Sequence, residues 1–158
     1  MNVPLYEKIW MWAAGGIIVS FISMVLAGVA FSALRPPSHV ETIDPAQVWA
    51  DARFTNRGVT VSPSGATVIA VGMMFAFNPA EIRVPAGTPV TFRLTSVDVV
   101  HGFQIVGTNA NTMVIPGYVS QFTTTFRSPG EYLIVCNEYC GLGHHQMYAK
   151  LLVEEAAS

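Results

Sequence analysis

Charge is scarce in this sequence. Of 158 residues, 8 are Lys or Arg and 10 are Asp or Glu, which is 11% charged, against roughly 25% in an ordinary soluble domain. The formal net charge is -2 and basic residues nowhere form a run, so no nucleic acid partner and no strongly charged binding surface is implied. Cysteine is scarcer still. The only two, Cys136 and Cys140, cannot build the disulfide framework of a small secreted protein, and the absence of Cys-x-x-Cys-His excludes a fused c-type haem. Repeats and low-complexity tracts are missing as well. What fills the composition instead is hydrophobic, at 51%.

Part of that excess is concentrated. From Ile9 to Leu34 there are 26 residues without a charge, and about 20 apolar residues suffice to cross a bilayer core. Trp10 and Trp12 sit at one end, where indoles favour the lipid–water interface. A cleaved signal peptide has an apolar core of only about 7–15 residues, so the small-residue pattern before Ala33 is outweighed by length. A buried core helix is likewise disfavoured by length. Residues 1–35 are therefore expected to be a retained single transmembrane anchor in a lipid bilayer. Lys8 on one side and Arg35 on the other leave its orientation undecided by charge.

After Arg35-Pro36-Pro37 the composition changes. Residues 36–60 read as a linker in which His39 is solvated, and Asp44 followed by Pro45 marks the start of a short helix. Residues 61–158 read as all-β. Short runs rich in Val, Ile, Thr and Phe alternate with Gly, Pro and Asn, and in "PVTFRLTS" Val90, Phe92 and Leu94 point one way while Thr91, Arg93 and Thr95 point the other. Seven or eight such strands predict a Greek-key sandwich or barrel.

One loop carries the chemistry. "CNEYCGLGHHQM", Cys136 to Met147, gathers both cysteines, His144, His145 and Met147, and His101 closes an upstream strand pair. Thiolate, imidazole and thioether together suit copper. One cysteine with two histidines and a weak methionine makes a mononuclear blue copper site. Two cysteines instead allow each thiolate to bridge two ions, with one histidine on each copper and Met147 and a backbone carbonyl in the weak positions. Sharing one electron over two ions keeps reorganisation small, which suits an electron carrier. Two blander readings stand beside it: a zinc site of Cys136, Cys140, His144 and His101, which leaves Met147 without a role, and a Cys136–Cys140 disulfide. His145 is expected to be a neighbour rather than a ligand.

The loop, together with "SVDVVHGFQI" upstream and "RSPGEYLIVC" leading into it, resembles the CuA domain of haem–copper oxidase subunit II over about residues 70–155. The lone helix, "VVHGFQIVGTNAN" and "YCGLGHH" are most similar to the B-type cytochrome c oxidases. The resemblance implies a cupredoxin fold and a dinuclear copper centre, CuA, bridged by Cys136 and Cys140. His101 and Met147 would complete one copper, and His144 with the backbone carbonyl of Glu138 the other. It also implies electrons arriving from a soluble donor such as cytochrome c and leaving to haem in a catalytic subunit I that reduces oxygen. The anchor would lie in a prokaryotic plasma membrane, with the amino terminus cytoplasmic and the copper domain periplasmic or extracellular.

Departures from the pattern add two expectations. The tryptophan-rich segment of A-type subunits is replaced by Val71–Ile82, where Met73, Met74 and Phe75 are candidates for an apolar donor-docking face and Phe77 is expected in the core. Glu138 stands where B-type relatives often have Gln. In A-type enzymes a Glu at that place also offers its side chain to a magnesium ion at the catalytic-subunit interface. Competing functions are a CuA subunit of a nitric oxide reductase and a membrane-anchored copper-binding or delivery protein. Quinol oxidase subunit II, which has a similar fold, lacks these ligands.

Overall fold

The computed structural model describes residues 4–31 and 40–155, which fall into two units divided at His39 and Val40. Of the cleavage-like residues before Ala33, Ala30 and Phe31 belong to the described helix, whereas Ser32, the Arg35–Pro37 boundary and His39 lie outside the described residues.

The first unit is one helix, α1 (Leu5–Phe31). At 1.5 Å per residue it runs about 40 Å, longer than the roughly 30 Å hydrocarbon core of a bilayer. Its mean hydropathy reaches 2.2, and it is the one helix among the described residues long and apolar enough to cross a membrane. Its large apolar side chains, from Leu5 to Val29, stand exposed around the helix, which is the pattern of a segment whose solvent is lipid.

The second unit is a sandwich of two five-stranded sheets. Its strands are β1 (Gly58–Ser62), β2 (Gly65–Met73), β3 (Ala76–Asn78), β4 (Glu81–Pro85), β5 (Pro89–Ser96), β6 (His101–Ile105), β7 (Asn111–Val114), β8 (Ser120–Thr125), β9 (Gly130–Val135) and β10 (Tyr148–Glu154). One sheet runs β1-β2-β5-β8 with β3 also on β2, and the other runs β4-β10-β9-β6-β7. Pairing is antiparallel except for β2 with β5 and β4 with β10. The alternation expected in β5 is present: Val90, Phe92 and Leu94 are buried. Phe92 on β5 stacks on Phe122 of β8 with centroids 5.0 Å apart and meets Phe103 of β6 at 5.7 Å, while Phe77 of β3 meets Phe103 edge-on at 5.3 Å. These rings tie the two sheets together, and Phe77 is a core residue as expected.

Residues 40–57, assigned to a linker from sequence, belong to this second unit. They contain a 3-10 turn (Pro45–Gln47) capped by Asp44, and a short helix, α2 (Ala52–Thr55), capped by Asp51. Ile43, Val48 and Phe54 are buried against Val71 of β2 and Val119, on the far side of the sheet from the main core. The backbone is also tied: Ile43 N–H donates to Gly117 O at 3.1 Å and Val119 N–H to Glu41 O at 2.8 Å. Arg93 of β5 reaches Glu41 at 2.6 Å, and Arg53 reaches Glu41 at 2.7 Å and Asp51 at 2.6 Å. Partial burial acts to raise the Glu41 carboxyl, but the two guanidiniums outweigh it and hold it below the usual range. The hydrogen bonds from Arg53 hold Asp51 down at about 2. The segment reads as a linker because its apolar residues are few and irregularly spaced. It packs because β2 and β5 present Val71, Ile69 and Arg93 on their outer face.

Candidate metal centre

Strand pairing builds the site. β9 and β10 are antiparallel neighbours with Val135 opposite Tyr148, so the next residues inward, Cys136 and Met147, face each other at the mouth of the loop, and Cys136 N–H donates to Met147 O at 3.2 Å. A 3-10 turn, His144–Gln146, returns the chain to β10. β6 pairs with the other edge of β9 through Gln104 and Val135, which brings His101, at its start, level with the loop. The approach is close: a Cβ on Gly102 would overlap the Asn137 side chain and lie 2.9 Å from the Glu138 backbone nitrogen, so a larger residue there must shift the loop against β6.

The donor atoms converge. Cys136 Sγ and Cys140 Sγ are 3.8 Å apart, and both are free buried thiols. His101 Nδ1 lies 4.0 Å from Cys136 Sγ, and His144 Nδ1 lies 3.6 Å from Cys140 Sγ. Met147 Sδ is 3.6 Å from Cys140 Sγ, and the Glu138 carbonyl oxygen is 3.1 Å from Cys136 Sγ. The ligand atoms of His101, Cys136 and Cys140 lie within 4.8 Å of one another. Two sulfurs 3.8 Å apart are within reach of a shared ion at the usual metal–thiolate length of about 2.3 Å. The chemistry of the set is soft, which favours copper over hard cations such as magnesium or calcium. Burial, followed by the neighbouring Cys136 thiol, pushes Cys140 up to about 11. A bound metal must displace such protons, so its affinity rises with pH.

His101 is fully buried and its orientation is set by Asp98. Its Nε2 is 2.8 Å from Asp98 Oδ1, which leaves Nδ1 turned to the sulfur; ligating histidines are commonly held this way by a carboxylate on the opposite nitrogen. The Asp98 carboxyl itself lies below its usual range, because hydrogen bonds from His101 and from the N–H groups of Met74 and Val99 outweigh the effect of burial.

Relatives identify the family. The family model described as cytochrome c oxidase subunit II, periplasmic domain, matches residues 69–155. The chain is 38% identical over 157 residues to a cytochrome c oxidase subunit 2 of Thermus thermophilus, covering 95% of this chain and 92% of the relative. This chain belongs to the cytochrome c oxidase subunit II family.

Solved structures agree. A cryo-EM structure of a heme-copper terminal oxidase dimer contains a chain 32% identical to this subunit with a TM-score of 0.60, the match covering 94% of this chain and 99% of that one. The periplasmic domain of cytochrome oxidase subunit II from Bradyrhizobium japonicum shares the cupredoxin-like fold, with a TM-score of 0.54, at 20% identity over 61% of this chain and 88% of that one.

The other residues singled out from the sequence lie at the turn between β2 and β3 and on the loop itself. Met74 and Phe75 cap the turn between β2 and β3 and are 52% and 37% exposed, whereas Met73, the last residue of β2, is half-buried. The Phe75 ring lies over the loop at Gly141 and Gly143: a Cβ on Gly143 would approach it to 2.5 Å, and Gly141 has φ +129, a conformation that other residues rarely adopt. Leu142 between them is 91% exposed. His145 is exposed and lines a pocket of about 370 Å3 shared with Cys136, His144 and Met147. The Glu138 side chain is exposed in the isolated subunit. Sequence reasoning missed Asp98 and the glycines beneath Phe75. The first was readable as an Asp three residues before a ligand-type His; the second was not, because the contact joins segments far apart in the chain.

Proposed function

We propose that this subunit receives electrons from a soluble donor such as cytochrome c at a dinuclear CuA centre and delivers them to haem in catalytic subunit I, for oxygen reduction by a membrane-bound terminal oxidase. The observation that carries it is the pair of buried thiols 3.8 Å apart with one imidazole Nδ1 near each. In our reading Cys136 and Cys140 would be shared by the two coppers, with His101 and Met147 holding one and His144 and the Glu138 carbonyl the other. The centre, when bound, supplies a one-electron carrier of low reorganisation. The protein's part is to keep both imidazoles aimed, to keep the thiols buried and to exclude water with Met147 and Phe75. The zinc reading leaves Met147 Sδ, 3.6 Å from Cys140 Sγ, without a function.

Met74, Phe75 and the exposed Leu142 form the donor-docking face in this reading, with Met73 behind them. An apolar face and a net charge of -2 make docking only weakly dependent on salt. The helix α1 anchors the subunit in a prokaryotic plasma membrane with its amino terminus cytoplasmic and the copper domain periplasmic or extracellular; the single span fits the B-type enzymes. The Glu138 carboxylate faces catalytic subunit I, where an unpaired buried charge is costly and a magnesium ion completed by partner residues and water satisfies it.

Metal analysis of the full chain in detergent tests the centre. Two coppers per chain and an electron paramagnetic resonance signal from one unpaired electron shared over two nuclei are expected; one zinc and no copper overturns the reading. For Glu138, manganese supplied during growth should appear near the copper in the assembled oxidase and vanish in Glu138→Gln, with the copper signal intact.

A further inference from the structure

We infer that Asp98 is a positioning residue which mechanically joins the exposed Met74–Phe75 turn to the ligand His101, so that pressure on the turn is felt at the metal centre. This rests on the copper reading above only for its functional consequence; the linkage itself is a matter of protein geometry. Asp98 divides its two oxygens. Oδ1 is 2.8 Å from His101 Nε2 and accepts the Val99 N–H at 2.6 Å. Oδ2 accepts the Met74 N–H, also at 2.6 Å. The carboxylate is thus a short rigid bridge with the ligand on one end and the turn on the other.

Its own position is held. Buried Ser96 donates to Asp98 Oδ1 at 3.2 Å or to Val99 O at 2.6 Å, and receives the Asp98 N–H at 3.3 Å. The His101 ring lies against β2, since a Cβ on Gly72 would meet its Cδ2 at 3.0 Å. The ring and the carboxylate are thus each held from more than one side. The turn touches the other half of the site as well, because Phe75 lies on Gly141 and Gly143, which flank the segment between Cys140 and His144. One exposed two-residue turn therefore contacts both imidazole-bearing segments, to His101 through Asp98 and to His144 through the Phe75 ring. A donor pressing on Met74 and Phe75 would thereby shift both ligands together.

The full chain in detergent micelles, with and without copper, decides the matter. In the metal-free wild type, His101 should show the tautomer protonated at Nε2 by ring nitrogen chemical shifts, and the Met74 amide should be protected from exchange despite its exposed setting. Asp98→Asn preserves size but cannot accept at both ends. Exchange at Met74 should become at least tenfold faster, the single tautomer should be lost, and the loaded chain should surrender copper to a Cu(I) chelator roughly 10–100-fold more readily. Phe75→Ala should change the hyperfine coupling of the His101 ring in the wild-type background and leave it nearly unchanged in the Asp98→Asn background. An unprotected Met74 amide in the wild type, or equal Phe75→Ala effects in both backgrounds, overturns the linkage. A wild-type chain that takes up no copper sinks the copper reading instead, while the metal-free tautomer and exchange results still judge Asp98, whether or not its variant folds.

Discussion

The loop Cys136–Met147 and the segment Val40–Arg57 are both irregular chain lying on the same β-sandwich, and they are held by opposite means. The segment is held by ordinary packing and ion pairs: Phe54 and Val48 are buried, and Glu41, Asp51 and Arg53 are paired in a network that takes in Arg93 of β5. The loop instead turns two thiols, one imidazole and a thioether toward one another and toward the imidazole of His101 on β6, at 3.6–4.0 Å, contacts far weaker than a well-formed hydrogen bond. Stability in the first case comes from the polypeptide. In the second it waits on a bound metal, because binding to the native state alone adds stability by mass action.

The largest effect is expected from Cys136→Ser or Cys140→Ser. In the proposed dinuclear centre either change would remove a bridging thiolate, so the shared-electron copper signal should disappear entirely. The thermal stabilisation conferred by copper, about 4 kcal/mol when copper is a thousandfold above its dissociation constant, should vanish with it, while the metal-free chain melts almost as before. Calorimetry with and without copper measures both. If the metal-free variant is itself severely destabilised, the loop is more self-supporting than its contacts indicate.

Phe54→Ala attacks the other region. Truncating a fully buried phenylalanine costs about 3–5 kcal/mol, read by chemical denaturation, and the copper spectrum of the folded fraction should not change. Glu41→Gln is milder, about 1 kcal/mol, because its ion pairs are partly exposed. It also carries a pH signature. Glu41 and Asp51 are both held below their ordinary values, so their contribution is present above the unfolded carboxylate range and is lost as pH falls from about 4 toward 2. Acid titration of the metal-free chain should therefore be less steep in that window for Glu41→Gln.

Smaller effects sharpen the view of the loop. Met147→Leu nearly conserves volume and should cost less than about 1.5 kcal/mol. With Met147 in its proposed place as a weak donor to the oxidised state, both coppers of the proposed centre should remain and voltammetry should find the potential moved upward. A colourless protein would refute the weak-ligand role. The smallest effect belongs to His145→Ala, a change at an exposed side chain that should alter stability by less than about 0.5 kcal/mol and leave the copper spectrum as it is.

The difference between the two regions also explains what could be read from sequence. The loop was legible because five of its donor groups lie within twelve consecutive residues, and clustering of soft ligands is a local property. The strands of the sandwich were legible through alternation, as in Val90, Phe92 and Leu94. The segment was not, since Ile43, Val48 and Phe54 follow no helical or strand period and find their partners up to about 75 residues away in the chain, at Val71 of β2 and at Val119 just before β8. Asp98 stood in plain view near His101, but its second contact, to the Met74 N–H, exists only because Val97 N–H and Gly72 O, 3.2 Å apart, hold its loop against β2.

Residue identity alone thus determined the long apolar helix, the all-β character of the domain and the soft donor set, since hydropathy, side-chain period and ligand chemistry are carried by short stretches of chain. Tertiary structure decided that His101 meets the loop, that Phe75 roofs Gly141 and Gly143, and that residues 40–57 close the back of the sheet. Those outcomes depend on strand register and on which sheet faces lie bare, and both are settled only when segments distant in the chain compete to bury the same surface.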